Sequence, residues 1–396
     1  MNFFNVTKTA HVVRALLVTG IVITGSCPDA WAAPHVPTTD SATVEILRDK
    51  PLATLDSDFR RLRARLRATP TDLPLATTVA QRAIEISRRD GDPRFLGYAQ
   101  AALAPWWSQA SPPIPVRLLK AILLQSTHAF GPALAELDVV LLAAPGNAQA
   151  WLIRATILQV QGEYAAAASA CERLRALAAI STLYADVCLA ELTGLTGNVA
   201  ASRTKLAALA SAGAGAPPLG WLAIVQAEMA ERAGDDPAAD RYYRSALANS
   251  GDAYVKAAYA DFLLDHKRGK EVMTLLEREQ RADALLLRLA LAYKQESDPR
   301  LATLTITLKN RFDAARLRGD TAHQREEARF TLQLLGRPDE ALSIALQNWT
   351  VQKESADARI LLEAARAVGR DASANPVREF IRSNHIEDRR LAGFLK

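Results

Sequence analysis

The chain has 396 residues, of which 49% are hydrophobic, 6% aromatic and 23% charged. Lys and Arg number 48 against 43 Asp and Glu, and this net charge of +5 is mixed along the whole length, which argues against a nucleic-acid-binding surface. A single globule of this size would split into domains around separate cores, whereas a solenoid avoids the split because each repeat packs only on its neighbours.

Residues 1–32 read as a signal peptide and stay outside the fold. Lys8 and Arg14 give a positive start, residues 15–25 (ALLVTGIVITG) form an apolar run, and Ala30-Trp31-Ala32 offers small residues around a cleavage point. The run is too short to span a bilayer, which takes about 20 residues. The reading is export by a Sec-type signal cut after Ala32, and hence a periplasmic chain. A rival sits inside the same segment: Thr24-Gly25-Ser26-Cys27 is a degraded lipoprotein box, so lipid anchoring at Cys27 is the minor alternative.

Residues 33–70 form a flexible start and a first amphipathic helix. Phe59, Leu62 and Leu66 recur at helical spacing, with Arg60, Arg61, Arg63, Arg65 and Arg67 between them. That run is a solvated helix face or a contact for an anionic surface. Residues 71–107 form a degenerate first helix pair, with Asp90-Gly91-Asp92-Pro93 between its helices. The stretch 108–115 (SQASPPIP) is a Pro-rich break that could act as a hinge.

Residues 116–281 carry the clearest organisation. A small residue inside the first helix of each pair recurs at Ala121, Ala155, Ala190, Ala227 and Ala260. A small or apolar residue inside the second recurs at Ala133, Ala167, Ser202, Ala239 and Val272. Both series advance by 34, 35, 37 and 33 residues, so the two markers drift in register. A period in this range is that of stacked helix pairs. Alanine at the crossing lets two backbones approach, and Gln161-Gly162, Gly197-Asn198, Gly234-Asp235 and, more loosely, Lys267-Arg268-Gly269 stop each first helix so that the chain reverses.

The pattern Trp151, Ala155, Leu158, Gly162, Tyr164, Ala167 resembles the tetratricopeptide repeat, as does Ala227, Gly234, Ala239, Tyr243, Ala246. The resemblance implies an all-α, right-handed superhelical solenoid of about seven or eight antiparallel helix pairs. It also implies an inner groove that binds extended or helical partner segments. Carried onto this sequence, the groove is lined by Gln149, Leu152, Thr156 and Gln159, then Tyr184 and Glu191, then Trp221, Glu228 and Glu231, then Tyr254 and Asp261. Such a groove is aromatic and mildly acidic, suited to apolar anchors with some positive charge.

Residues 282–396 continue as degenerate pairs and a cap. Residues 283–295 and 299–318, 321–335 and 339–351, and 356–368 and 376–383 read as helices, with Pro299 and Pro376 in first turns. Glu379, Arg382, Glu387, Asp388, Arg389 and Arg390 would give the last repeat its polar outer face. Cys171 and Cys188 fall in adjacent helices and are either a disulfide, permitted by export, or two small buried hydrophobes.

No reaction chemistry stands out. Of the histidines, His11 leaves with the signal, and His35, His128, His266, His323 and His385 are scattered without metal-ligand spacing. His323 and Glu327 form a helical i,i+4 pair read as a surface contact, and Asp235, Asp236 and Asp388 read as cap or surface carboxylates. The expectation is therefore no catalytic residues, no metal and no cofactor. The function expected is a protein–protein scaffold or adaptor in the envelope of a Gram-negative bacterium, its partner an unidentified envelope protein. A membrane-associated assembly factor and a subunit of an envelope enzyme are the alternatives.

Overall fold

The computed structural model describes residues 57–395 apart from 178, 213–218 and 321. The signal peptide, Cys27 and the flexible stretch before residue 57 lie outside the described residues. Helix α1 (Ser57–Ala68) rests on α2 (Leu73–Asp90), which pairs with α3 (Arg94–Ala102), and the short α4 (Ala104–Trp107) leads on. Next come α5 (Ile114–Ser126) with α6 (Phe130–Ala143), α7 (Ala148–Val160) with α8 (Tyr164–Arg175), and α9 (Ala179–Leu195) with α10 (Val199–Ala212). After these come α11 (Leu219–Ala233) with α12 (Asp236–Asn249), and α13 (Ala253–Asp265) with α14 (Gly269–Leu276). The pairs α15 (Asp283–Gln295) with α16 (Leu301–Leu317) and α17 (Gln324–Gln333) with α18 (Pro338–Val351) follow, and α19 (Ser355–Val368) and α20 (Asn375–Ser383) close the chain. This is an all-α solenoid, with eight successive helix pairs plus a closing pair among the described residues.

The repeat markers explain the stacking. Ala121, Ala155, Ala190, Ala227 and Ala260 are all at most 4% exposed, and Ala133, Ala167, Ser202, Ala239 and Val272 are all fully buried. Side chains this small let the paired helices touch, while Leu137, Leu174, Leu206, Tyr243 and Phe262 fill the space between layers. Starts are capped locally: Asn147, Asp235 and Asp252 each accept a hydrogen bond from the backbone N–H three residues on. One hydrophobic cluster runs from Phe59 to Ile157, so the Pro-rich stretch at 108–115 does not divide the core. Pro299 lies before α16 rather than in its first turn, because Asp298 accepts from the backbone N–H of Arg300 and the helix begins one residue later.

First helices touch first helices, from α5 through α7 and α9 to α11 and again from α13 through α15 and α17 to α19, forming a continuous inner layer. The stack curls back on itself. The turn between α2 and α3 meets α13 and the start of α15, so tightly that a Cβ on Gly91 would lie 2.9 Å from that of Ala253 and 2.8 Å from that of Ala282. Cys171 on α8 and Cys188 on α9 approach with their Cα atoms 6.2 Å apart and are joined as a disulfide.

Candidate functional site

The expected groove residues lie on the inner layer, in two different surroundings. At the N-terminal ends of the first helices the face is open. Gln149 and Thr156 are exposed, and Leu152 and Gln159 are half-buried, with the Gln159 amide donating to Glu191 at 2.6 Å. Tyr184 and Trp221 stack with ring centroids 5.7 Å apart, both half-exposed. Tyr254 is 59% exposed, and its hydroxyl donates to Glu228 at 2.6 Å.

Further along the same helices the carboxylates are paired within the chain. Glu231 is 5% exposed; it accepts from the Tyr243 hydroxyl at 2.7 Å and pairs with Arg390 at 3.2 Å. Asp261 pairs with Arg288 at 2.6 Å and with Arg329 at 2.5 Å. On α13, Asp265 pairs with Arg359 at 2.5 Å. The positive charge that this acidic face was expected to seek in a partner thus comes from the C-terminal third of the chain. The sequence held a sign of this: arginines sit on the first helices α15, α17 and α19, where the inner face of the central repeats is acidic.

Between the two halves lies a cavity of about 720 Å³, lined by α11, α13, α15, the start of α17, the α2–α3 turn and the α18–α19 connection. Its size suits a small molecule or the tip of a peptide. Burial and then the nearby charge of Glu191 push the Glu228 carboxyl up to about 7. Burial acts against the charge of Asp261 too, but Arg288 and Arg329 outweigh it and hold that carboxyl well below the usual range. Glu228 raises the Tyr254 hydroxyl well above its ordinary value, and burial adds to the effect. His323 faces this cavity. Its expected partner Glu327 is instead buried and paired with Arg316 at 3.2 Å, with burial raising its carboxyl to about 7, so that pair is not a surface contact. Among the described residues no group of His, Cys, Asp and Glu could hold a metal ion.

The C-terminal ends of the first helices form a second edge, and the end of the chain crosses it turn by turn. Lys353 donates its N–H to the Val160 carbonyl at 2.8 Å, and the Gln352 amide meets the His128 ring at 3.1 Å. The Phe380 ring packs on Tyr164, with centroids 6.0 Å apart, and His385 lies against Gly197. The Val199 N–H points at the Glu387 carboxylate at 3.4 Å. Arg389 donates its backbone N–H to the Arg232 carbonyl at 3.1 Å and its guanidinium to Asp236 at 3.0 Å.

Each of these turns needs one residue in the left-handed region: His128, Gly162, Gly197, Gly234, Lys267 and Ser297, with φ from +56° to +90°. In the last of the central turns, read from the sequence as Lys267-Arg268-Gly269, it is Lys267 that takes the positive φ, and Gly269 begins α14. At three of these turns the residue is glycine for a second reason. A Cβ would lie 2.6 Å from the Phe380 ring at Gly162, 2.8 Å from the His385 carbonyl oxygen at Gly197 and 2.8 Å from Arg389 Cδ at Gly234.

The expected cap is corrected in part. Glu379, Arg382, Glu387 and Arg389 are exposed, but Asp388 and Arg390 turn inward onto the array. Asp388 is 7% exposed and paired with Arg390 at 2.6 Å and Arg232 at 3.4 Å, so it is not a surface carboxylate.

No protein-family model matches the chain, and no curated protein matches it. A few solved structures are similar to it at low identity. One is the crystal structure of the APC/C hetero-tetramer Cut9–Hcn1, at 14% identity over 82% of this chain and 63% of that one, with a TM-score of 0.49. Another is the P58(IPK) TPR domain, at 14% identity over 71% of this chain and 96% of that one, with a TM-score of 0.24. A third is Naa15/Naa10 bound to HypK-THB, at 14% identity over 82% and 60%, with a TM-score of 0.25. This chain spans under two thirds of the first of these, and at such values none of them bears on what it binds. Its class rests on its own geometry: an all-α solenoid of stacked helix pairs.

Proposed function

We propose that this protein is a non-enzymatic scaffold or adaptor of the bacterial cell envelope that holds a segment of a partner protein against the open edge of its inner layer. The observation that carries this reading is the aromatic ledge. Tyr184, Trp221 and Tyr254 remain accessible on successive first helices, while two of the four expected acids beside them, Glu231 and Asp261, are already paired with the chain's own arginines. Half-exposed aromatic rings held by stacking are what a partner's apolar anchors bury. The partner segment is therefore apolar first and charged second. The envelope location rests on residues 1–32.

A crosslinking pull-down from the periplasm tests this, with wild type beside Trp221→Ala/Tyr254→Ala. Capture by wild type and loss in the variant, at unchanged helicity, supports the ledge; equal capture by both removes it. The cavity does not carry an enzymatic reading, because Asp261 is shifted by its arginines and Glu228 by burial beside Glu191 with its oxygen bonded to Tyr254, and structural networks perturb carboxylates in both ways. Attachment to an anionic membrane surface is a second reading, favoured by Arg60, Arg61, Arg65 and Arg67, which are all exposed on α1. Vesicle flotation with and without anionic lipid tests it.

A further inference from the structure

The covered edge carries its own inference, independent of the aromatic ledge at the other end of the same helices. Residues 384–391 have no regular helix and cross two repeat turns in order, after Lys353 and Phe380 have met the α7–α8 turn: Glu387 on the first turn of α10, then Asp388, Arg389 and Arg390 on the end of α11 and the start of α12. The chemistry at each step fits the local field. An acid meets an exposed N–H at a helix N-terminus, and an arginine meets free carbonyls at a helix C-terminus, each end carrying the complementary partial charge. Arg389 takes the Arg232 carbonyl, the Gly234 carbonyl at 3.3 Å and the Asp236 carboxylate together. Arg390 and Asp388 then form a crossed pair with Glu231 and Arg232.

The segment is bound in the manner of a ligand. His385, Glu387 and Arg389 are exposed, and within 384–391 only Asp388 and Leu391 are buried. Its hold on the central repeats is mostly charged: the exposed Glu387 and Arg389 contacts are open to screening by salt, whereas the buried Asp388 and half-buried Arg390 pairs are screened much less. Leaving would uncover Glu231 and open one wall of the cavity, because Arg390 lines it.

We propose that the edge formed by the α7–α8, α9–α10 and α11–α12 turns is a docking site for a protein segment presenting two acids followed by two arginines in a turn. The chain's own Glu387-Asp388-Arg389-Arg390 is its resting occupant, and a partner segment of that chemistry displaces it.

Two measurements on the full chain test this. The first is hydrogen exchange on the wild type. Backbone amides of residues 385–391 are expected to exchange at least about 100-fold faster than those inside α9 and α11, and to speed up with added salt. Exchange at the same rate as the α11 interior would overturn the proposal, since the segment would then be an integral wall. The second uses a synthetic peptide of residues 375–395 as the probe, with wild type and Arg389→Glu/Arg390→Glu. The peptide should bind the variant and fail to bind the occupied wild type at the same concentration. A folded variant that takes no peptide overturns the proposal. Where the double variant loses helicity, Arg389→Ala replaces it and the exchange arm stands by itself. Trp221→Ala/Tyr254→Ala, added to the same peptide assay, leaves the result unchanged, so failure of the ledge and failure of this site are told apart.

Discussion

The two edges of the inner layer belong to the same helices and behave differently. At their N-terminal ends, aromatic rings stand open beside polar side chains. At their C-terminal ends, glycine turns lie beneath the end of the chain. Positive φ alone does not require glycine: His128, Lys267 and Ser297 occupy the same turn position with φ of +57°, +60° and +56°. Glycine is indispensable only where a second strand of chain crosses within contact of the turn. The repeat therefore carries two messages at one position, a local one about chain reversal and a remote one about what lies on top.

The largest effect that sharpens this comparison is expected at Gly197. In Gly197→Ala the new methyl group meets the His385 carbonyl oxygen, which is backbone and cannot swing away, at a position already unfavourable for L-residues. The loss should be about 3 kcal/mol in chemical denaturation. Gly234→Ala meets only the flexible Arg389 stem and should cost roughly half as much. Equal costs at the two sites would break the link between glycine and the crossing chain.

Next in size is a pH effect centred on the cavity between the edges. The folded protein holds Glu228 at about 7 against an ordinary 4.5, so its protonated form is the favoured one. Its contribution to stability is fully present below about pH 4.5 and is lost as pH rises through about 7. Across that window Glu228→Gln should remove about 2 kcal/mol of pH dependence, the full linkage value being discounted by about half because the side chain keeps some contact with water. Glu327 is raised for the same reason, and Glu327→Gln should act in the same window. Denaturation midpoints measured from pH 4 to pH 8 decide both; an unchanged slope in either variant means that the carboxyl is not the source.

On the open edge the effects are smaller. Trp221→Ala should cost only about 1 kcal/mol, since the ring is half-exposed and loses one stacked neighbour. A loss as large as that at Gly197 would mean that the ledge is structural rather than a binding surface. Smallest of all is Lys267→Gly, at a left-handed turn that nothing crosses. It should stabilise by about 0.5 kcal/mol, relief of the left-handed strain being partly offset by greater freedom in the unfolded chain.

Much of the fold was legible before the structure. The two marker series predicted ten positions, and all ten are buried because helix crossings admit only small or snugly fitting side chains. The bounds of α15 and the proline in the first turn of α20 followed from local rules. The covering of Glu231 and Asp261 did not, because their arginine partners lie 27 to 159 residues away and periodicity carries no information on long-range pairing. Asp388 and Arg390 read as part of a solvated cap for the same reason: a run of charges looks alike on paper whether it faces water or a set of helix ends.

The crossing segment also has a consequence for synthesis. The contacts that close the central turns reach from Val160 to Lys353 and from Arg232 to Arg389, so they form only when the last part of the chain has been made. The earlier repeats stack through neighbours and can fold as they emerge. A chain that stops before residue 386 keeps those repeats but leaves Glu231 without its arginine and Arg232 without its acid. Loss of residues 386–391 would thus leave a charged, unsealed face on the central repeats, at Glu231 and Arg232.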